Sequence, residues 1–123
     1  MILVDTSVWI RHFRQADARL EALLVHELVA MHPFVLGELV CGTLKNRPST
    51  IAQLNLLPAA SLAPEPEVHH LIEARRLWGR GLGWVDLHLL ASALLDRNRL
   101  WSNDRALAAG AEGLGIEYAK RQV

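Results

Sequence analysis

Four acids in this 123-residue chain stand at places where chemistry is commonly done. Asp5 closes the apolar run Met1 to Val4, and Asp104 follows the short run that holds Leu100 and Trp101. Asp86 opens a stretch, Leu87 to Leu95, that is apolar almost throughout, and Glu38 lies among the apolar residues Phe34 to Val40. In an open parallel sheet, ligands and reacting groups gather beyond the carboxyl ends of the strands, which is where acids after such runs would stand. Each aspartate also has a plain structural reading. Aspartate is a favoured helix N-cap worth about 1 kcal/mol, and taken singly Asp5, Asp86 and Asp104 read first as caps. Glu38 resists that reading. A charged group in an apolar helical segment needs a partner or a cation, and neither Lys45 nor Arg47 lies three or four residues away, where a helix would pair them. Taken jointly, four carboxylates at close range repel one another and cannot all stay ionised unaided. A divalent cation resolves the conflict. Oxygen donors without a His/Cys cluster favour Mg²⁺ or Mn²⁺ over zinc. Such an ion makes a bound water acidic and neutralises a phosphate, chemistry that suits phosphodiester cleavage.

The elements that must position these acids follow from the pattern. Met1 to Val4 reads as a strand buried on both faces, and Thr6 to Phe13 as a short helix. Asp17 caps a helix whose Leu20, Leu23, Leu24 and Leu28 share one face. Val29 to His32 is a second short strand ended by Pro33, and Phe34 to Leu44 a third helix. Pro48 opens a small helix through about Leu56, and Ala59 to Leu62 is a third strand between Pro58 and Pro64. The segment Pro64 to Glu67 combines fixed φ with first-turn acids, a helix-start signal. That helix turns Val68, Leu71, Ile72 and Trp78 inward and leaves Arg75 and Arg76 near solvent. Gly79, Gly81 and Gly83 make a flexible loop carrying Arg80 and Trp84. Leu87 to Leu95 is a central helix, Arg99 to Ser102 a strand, Arg105 to Ala111 the last helix, and Ile116 to Tyr118 an edge strand. Strands alternating with helices give an α/β fold, a short, mainly parallel sheet of four to five strands flanked by helices. One domain spanning residues 1–123 fits this length.

Composition narrows the function. Hydrophobic residues make up 51% of the chain, which excludes a disordered protein. Thirteen Lys and Arg balance thirteen Asp and Glu, so any polyanion must be held by local patches and not by net charge. The lone cysteine, Cys41, cannot form an internal disulfide and fits a reducing compartment; packing would make it a small buried hydrophobe. Asp5 interrupts any signal-peptide core, and charges interrupt every apolar run before it could span a bilayer. A cytoplasmic protein without a membrane segment is the expectation.

At this point the residues resemble a family. Val4-Asp5-Thr6-Ser7, Leu36-Gly37-Glu38-Leu39 with Gly42 downstream, Asp86 to Ala93, and Trp101-Ser102-Asn103-Asp104 are similar, in order and interval, to the PIN-domain ribonucleases, and most closely to the VapC-type toxins of bacterial toxin–antitoxin pairs. The resemblance covers essentially the whole chain and implies a PIN-like three-layer sandwich. It implies that Asp5, Glu38, Asp86 and Asp104 form an acidic quartet holding one or two Mg²⁺ or Mn²⁺ ions, with Asp5 and Asp86 the most direct ligands. Glu38 and Asp104 would complete the site, bind a second ion or orient waters. Thr6 or Ser7 and Ser102 would support the carboxylates by hydrogen bonds. The implied activity is RNA hydrolysis by metal-activated water. The implied partners are RNA, a cognate VapB-type antitoxin and a second copy of the chain, in a homodimer and a toxin–antitoxin hetero-oligomer.

Several residues could hold RNA. Arg11 and Arg14 follow Asp5, and Lys45 and Arg47 follow the Glu38 segment, so these could grip phosphates; each is equally readable as a solvated surface charge. Trp84 could stack on an unpaired base, or pack in the core or at a dimer contact. His69 and His70 read as helix-surface residues, and His88, two residues beyond Asp86, as pointing away from it. Trp9 and Phe13, if exposed, would form an apolar patch for an antitoxin segment or a second subunit. A non-cleaving RNA- or ribosome-binding module is the alternative function. A receiver domain or phosphatase is disfavoured, because Val4 to Ser7 lacks the second aspartate of a DxD loop and no well-placed lysine follows Leu100.

Overall fold

The computed structural model describes residues 1–118. Its centre is β1 (Ile2–Val4), flanked in parallel by β2 (Val29–Ala30) and β3 (Arg99–Trp101), in the order β2-β1-β3. The register pairs Leu3 with Ala30 on one side and with Leu100 on the other. Leu3 and Val4 are neighbours whose side chains leave opposite faces, and both are fully buried. Helices therefore cover the sheet on both sides, the arrangement parallel strands require.

Those helices are α1 (Thr6–Arg14), α2 (Ala18–Val25), α3 (Pro33–Val40), α4 (Arg47–Asn55), α5 (Glu65–Arg75), α6 (Trp84–Asp96) and α7 (Arg105–Gly113). Helix α6 is the central one, with Leu87 through Ala93 all buried. It packs on β3, α5 and α7, while α1 packs on α3. Asp17 caps α2, accepting from the N–H groups of Arg19 and Leu20. Leu20 is fully buried, with Leu23 and Leu24 packed against the core. No described helix is long and apolar enough to cross a membrane.

Four expectations need correction. The described residues form three strands, not four to five. Ala59 and Glu117 contribute only single parallel bridges, to Met31 and Leu100. At the first, the chain leaves the sheet because Ser61 gives both its N–H and its hydroxyl to Asp96 on α6, at 2.7 and 2.6 Å. Leu28 lies beyond α2, which ends at Val25, and is half-exposed. Trp78 is 57% exposed, because α5 stops at Arg76 in the left-handed region (φ 53°) and breaks the helical phase. Leu77 takes the inward place, its N–H reaching back to Ile72 O at 3.0 Å. Cys41 is exposed, because α3 ends at Val40 after burying Val35 and Leu39.

Candidate active site

The acids stand where chain direction changes. Asp5 follows β1 and caps α1, its Oδ1 accepting from Thr6 N at 2.7 Å. Asp104 follows β3 and caps α7, its Oδ2 accepting from Leu107 N at 2.9 Å. Asp86 does not begin α6. The helix starts two residues earlier, and Asp86 sits in its first turn with Oδ2 reaching back to Gly83 N at 2.9 Å. The three aspartates thus lie at helix N-termini, where exposed N–H groups and the helix dipole favour negative charge. Glu38 lies near the end of α3, and its carboxylate is exposed. Its partner is the Thr6 hydroxyl, which donates to Oε1. Capping does explain part of each aspartate's placement; it explains nothing of Glu38.

Hydroxyls tie the group together. Asp5 is 7% exposed, and its Oδ2 accepts from both Ser7 Oγ and Ser102 Oγ at 2.7 Å. Those hydroxyls in turn accept from the N–H groups after β3, Ser7 from Asn103 at 3.0 Å and Ser102 from Asp104 at 2.9 Å. One lattice therefore joins the β1–α1 junction to the β3–α7 junction, and through Thr6 it reaches α3. Asp86 completes the set electrostatically. Its pKa is raised, first by burial and then by the charges of Asp5, Asp104 and Glu38, against the lowering effect of the Gly83 hydrogen bond. Asp5, Asp104 and Glu38 are thus each within electrostatic reach of Asp86.

The described residues contain no ready-made set of three or more His, Cys, Asp or Glu side chains arranged to enclose a metal ion. The acids face one field without closing into a cage. One oxygen each of Glu38, Asp86 and Asp104 is engaged by a donor from the chain, leaving the other for a further partner. The donor set is all oxygen, and its repulsion is what a hard divalent cation would remove. In chemical type and charge these residues fit such an ion.

The family profile described as PIN domain matches residues 2–113. This chain belongs to the PIN-domain family. Two curated relatives, each named Ribonuclease VapC32, come from Mycobacterium tuberculosis strains CDC 1551 / Oshkosh and ATCC 25618 / H37Rv. Each is 46% identical over 121 residues, covering 98% of this chain and 98% of the relative.

Around the four acids, the other expected residues divide. Thr6, Ser7 and Ser102 all join the lattice. Arg11, Arg14 and Lys45 are exposed. Arg47 is occupied, donating to Val40 O at 2.7 Å and Gly42 O at 3.0 Å, the free carbonyls at the end of α3. Trp9 is buried, so the apolar patch on α1 consists of Ile10 and Phe13. His69 and His70 are exposed, as expected of surface residues. His88 points away from Asp86, as its spacing implies, yet it is buried and packs edge-on against Phe34 (4.9 Å between centroids) and Trp84 (4.7 Å). The sequence reading missed His32, fully buried and accepting from Phe34 N at 2.9 Å through Nδ1. A histidine directly before Pro33 was its signal, since proline at a first helical position leaves the preceding residue as the cap.

Proposed function

We propose that this chain is an Mg²⁺- or Mn²⁺-dependent endoribonuclease, the toxin of a type II toxin–antitoxin pair. PIN-domain VapC nucleases as a class depend on a metal, and this chain belongs with them by family profile and by identity along nearly its whole length. The observation that supports the site assignment is the hydroxyl lattice that joins Asp5, through Thr6, to Glu38 and, through Ser102, to the Asp104 junction. When bound, the ion supplies positive charge at the phosphate and acidifies a water enough to attack at neutral pH.

The chain's own residues divide the remaining work. Asp5 at the end of β1 and Asp86 at the start of α6 would hold the ion, with Glu38 and Asp104 completing the donor set. Ser7 and Ser102 fix Asp5 in one rotamer, and Thr6 fixes Glu38, so the donors are arranged before substrate arrives. Arg11, Arg14 and Lys45 are exposed surface cations that attract the RNA backbone locally, in a chain with no net charge. The same acidic site accepts a cationic side chain from a VapB-type antitoxin. The exposed Ile10 and Phe13 offer that partner, or the second subunit of a homodimer, an apolar contact. An RNA-cutting toxin works where RNA is, in the cytoplasm.

Incubation of purified protein with RNA and Mg²⁺ tests the reading. Wild type is expected to release discrete fragments, excess EDTA to stop it, and Asp5→Asn to lower the rate by at least about 100-fold while circular dichroism stays unchanged. Cleavage by Asp5→Asn at the wild-type rate would falsify the assignment.

A further inference from the structure

A second feature is a row of rings that runs from the N-cap of α3 through α6 to α5. His32 meets Phe34 at 5.2 Å, Phe34 meets His88 at 4.9 Å, His88 meets Trp84 at 4.7 Å, and Trp84 meets His69 of α5 at 5.2 Å. The row runs from the interior outward. His32 and His88 are buried, Trp84 is 41% exposed, and His69 is exposed.

Its direction is fixed by which residues influence one another across the two helices. His32 feels Asp96 and His88, Phe34 touches His88, and Glu38 acts on Asp86. Moving forward along α3 thus moves backward along α6. Phe34 and Glu38 are one turn apart, as are His88 and Trp84, so each pair shares a face of its helix. At the open end of the row, Trp84 and Asp86 both belong to the first turn of α6, with Trp84 on the flank that carries His88. Trp84 meets His88 at an interplanar angle of 87° and His69 at 42°. A large ring held by two neighbours loses little freedom when something stacks on it. The preceding loop carries Arg80, which is exposed.

We propose that Trp84, flanked by His69, is a stacking platform for one unpaired base of the RNA, next to the phosphate that is cut. Stacking is tolerant of base identity, because every base has a π-face. The platform therefore selects single-stranded RNA over duplex and does not select one letter over another. This inference rests on the nuclease reading for its substrate, and its test is separable from that reading.

Binding is measured with Asp86→Asn protein, in which cleavage is expected to be lost, using a single-stranded oligoribonucleotide and the same strand with abasic riboses. Trp78→Phe in that protein leaves Trp84 as the exposed tryptophan, so its fluorescence reports the contact; Trp9 and Trp101 are buried. The base-bearing strand is expected to quench Trp84 saturably and to bind more tightly than the abasic strand. Trp84→Ala is expected to weaken binding by about 5- to 150-fold, the range of one lost stack, and Trp84→Phe to restore most of it. In the otherwise wild-type enzyme, Trp84→Ala raises KM and leaves kcat within about threefold. Equal binding of the two strands, wild-type affinity in Trp84→Ala, or a fluorescence change that follows protein concentration without RNA would each overturn the platform. Absence of cleavage by the wild-type chain would instead strike the nuclease reading, while base-dependent quenching would still stand.

Discussion

Asp86 shows most clearly what the acids do to one another. Burial and three neighbouring carboxylates disfavour its charged form, and only the Gly83 N–H opposes them. Asparagine at that place keeps an oxygen for Gly83 and removes the charge. Asp86→Asn is therefore expected to melt slightly higher than wild type in EDTA, by no more than a few degrees, since solvent screens the repulsion to under about 1 kcal/mol. Under the proposed function the same substitution removes an ion donor, so the rise in melting temperature expected of wild type in Mg²⁺ should shrink or vanish, and RNA cleavage should fall by at least about 100-fold. Thermal scans with and without Mg²⁺ read both effects. A variant that melts lower in EDTA yet gains as much from Mg²⁺ would place Asp86 outside the ion site. The sequence reading identified this residue but misjudged its role in the helix. An aspartate before an apolar run resembles a cap, whereas a glycine three residues earlier can accept the cap position and leave the aspartate to reach back.

At the scale of elements, the hydroxyl lattice is the mechanical link between two strand ends. Ser102 donates to Asp5 and accepts from Asp104 N, so one hydroxyl fixes a buried acid of β1–α1 and the backbone of β3–α7 together. Ser102→Ala is expected to lower the cleavage rate about 10- to 100-fold, the usual cost of losing a group that orients a metal donor, with folding preserved because Ser7 still holds Asp5. Far-UV dichroism and a rate measurement over a Mg²⁺ series check this: the loss should lessen at high Mg²⁺, and a loss independent of Mg²⁺ would contradict it. The sequence disclosed β1, Asp5, Asp104 and the hydroxyls because they stand at or just beyond the end of an apolar run, and Glu38 and Asp86 because each lies within or just before an apolar helical stretch. It concealed what depends on partners distant in sequence. Nothing local says that Ser61 will turn from the sheet to Asp96, or that Arg76 will end α5 and send Trp78 outward. Nor does it say that His69, on another helix, lies against Trp84.

Across the whole molecule, a buried histidine sets how the fold responds to acid. His32 caps α3 through Nδ1, and its Nε2 finds no partner among the described residues. Burial, with the nearby His88, lowers its pKa to about 4 against a weaker opposing pull from Asp96. In the unfolded chain the same imidazole titrates near 6.5. Between those values the unfolded state binds more protons, so stability rises with pH and is fully present above about 6.5. It is lost as the pH falls from there towards 4. Allowing for relaxation and water, the loss is on the order of 2 kcal/mol. His88, whose pKa burial also lowers, adds to it in the same direction. Asp86, with its raised pKa, gains stability on acidification, but in a window that begins above the usual carboxylate value of 3.8 and opposes the trend only towards its acid end. Urea midpoints are therefore expected to fall between pH 7 and pH 5. His32→Asn keeps a good capping side chain and has no proton to gain, so it should start lower, from lost packing, and fall less over the same range. An unchanged slope in His32→Asn would mean that the acid response belongs to other groups. Because His32 and His88 lie between α3 and α6, the helices that carry Glu38 and Asp86, the loss should reach the site as well. Mg²⁺ should then protect the protein less at pH 5 than at pH 7, beyond what carboxylate protonation alone removes.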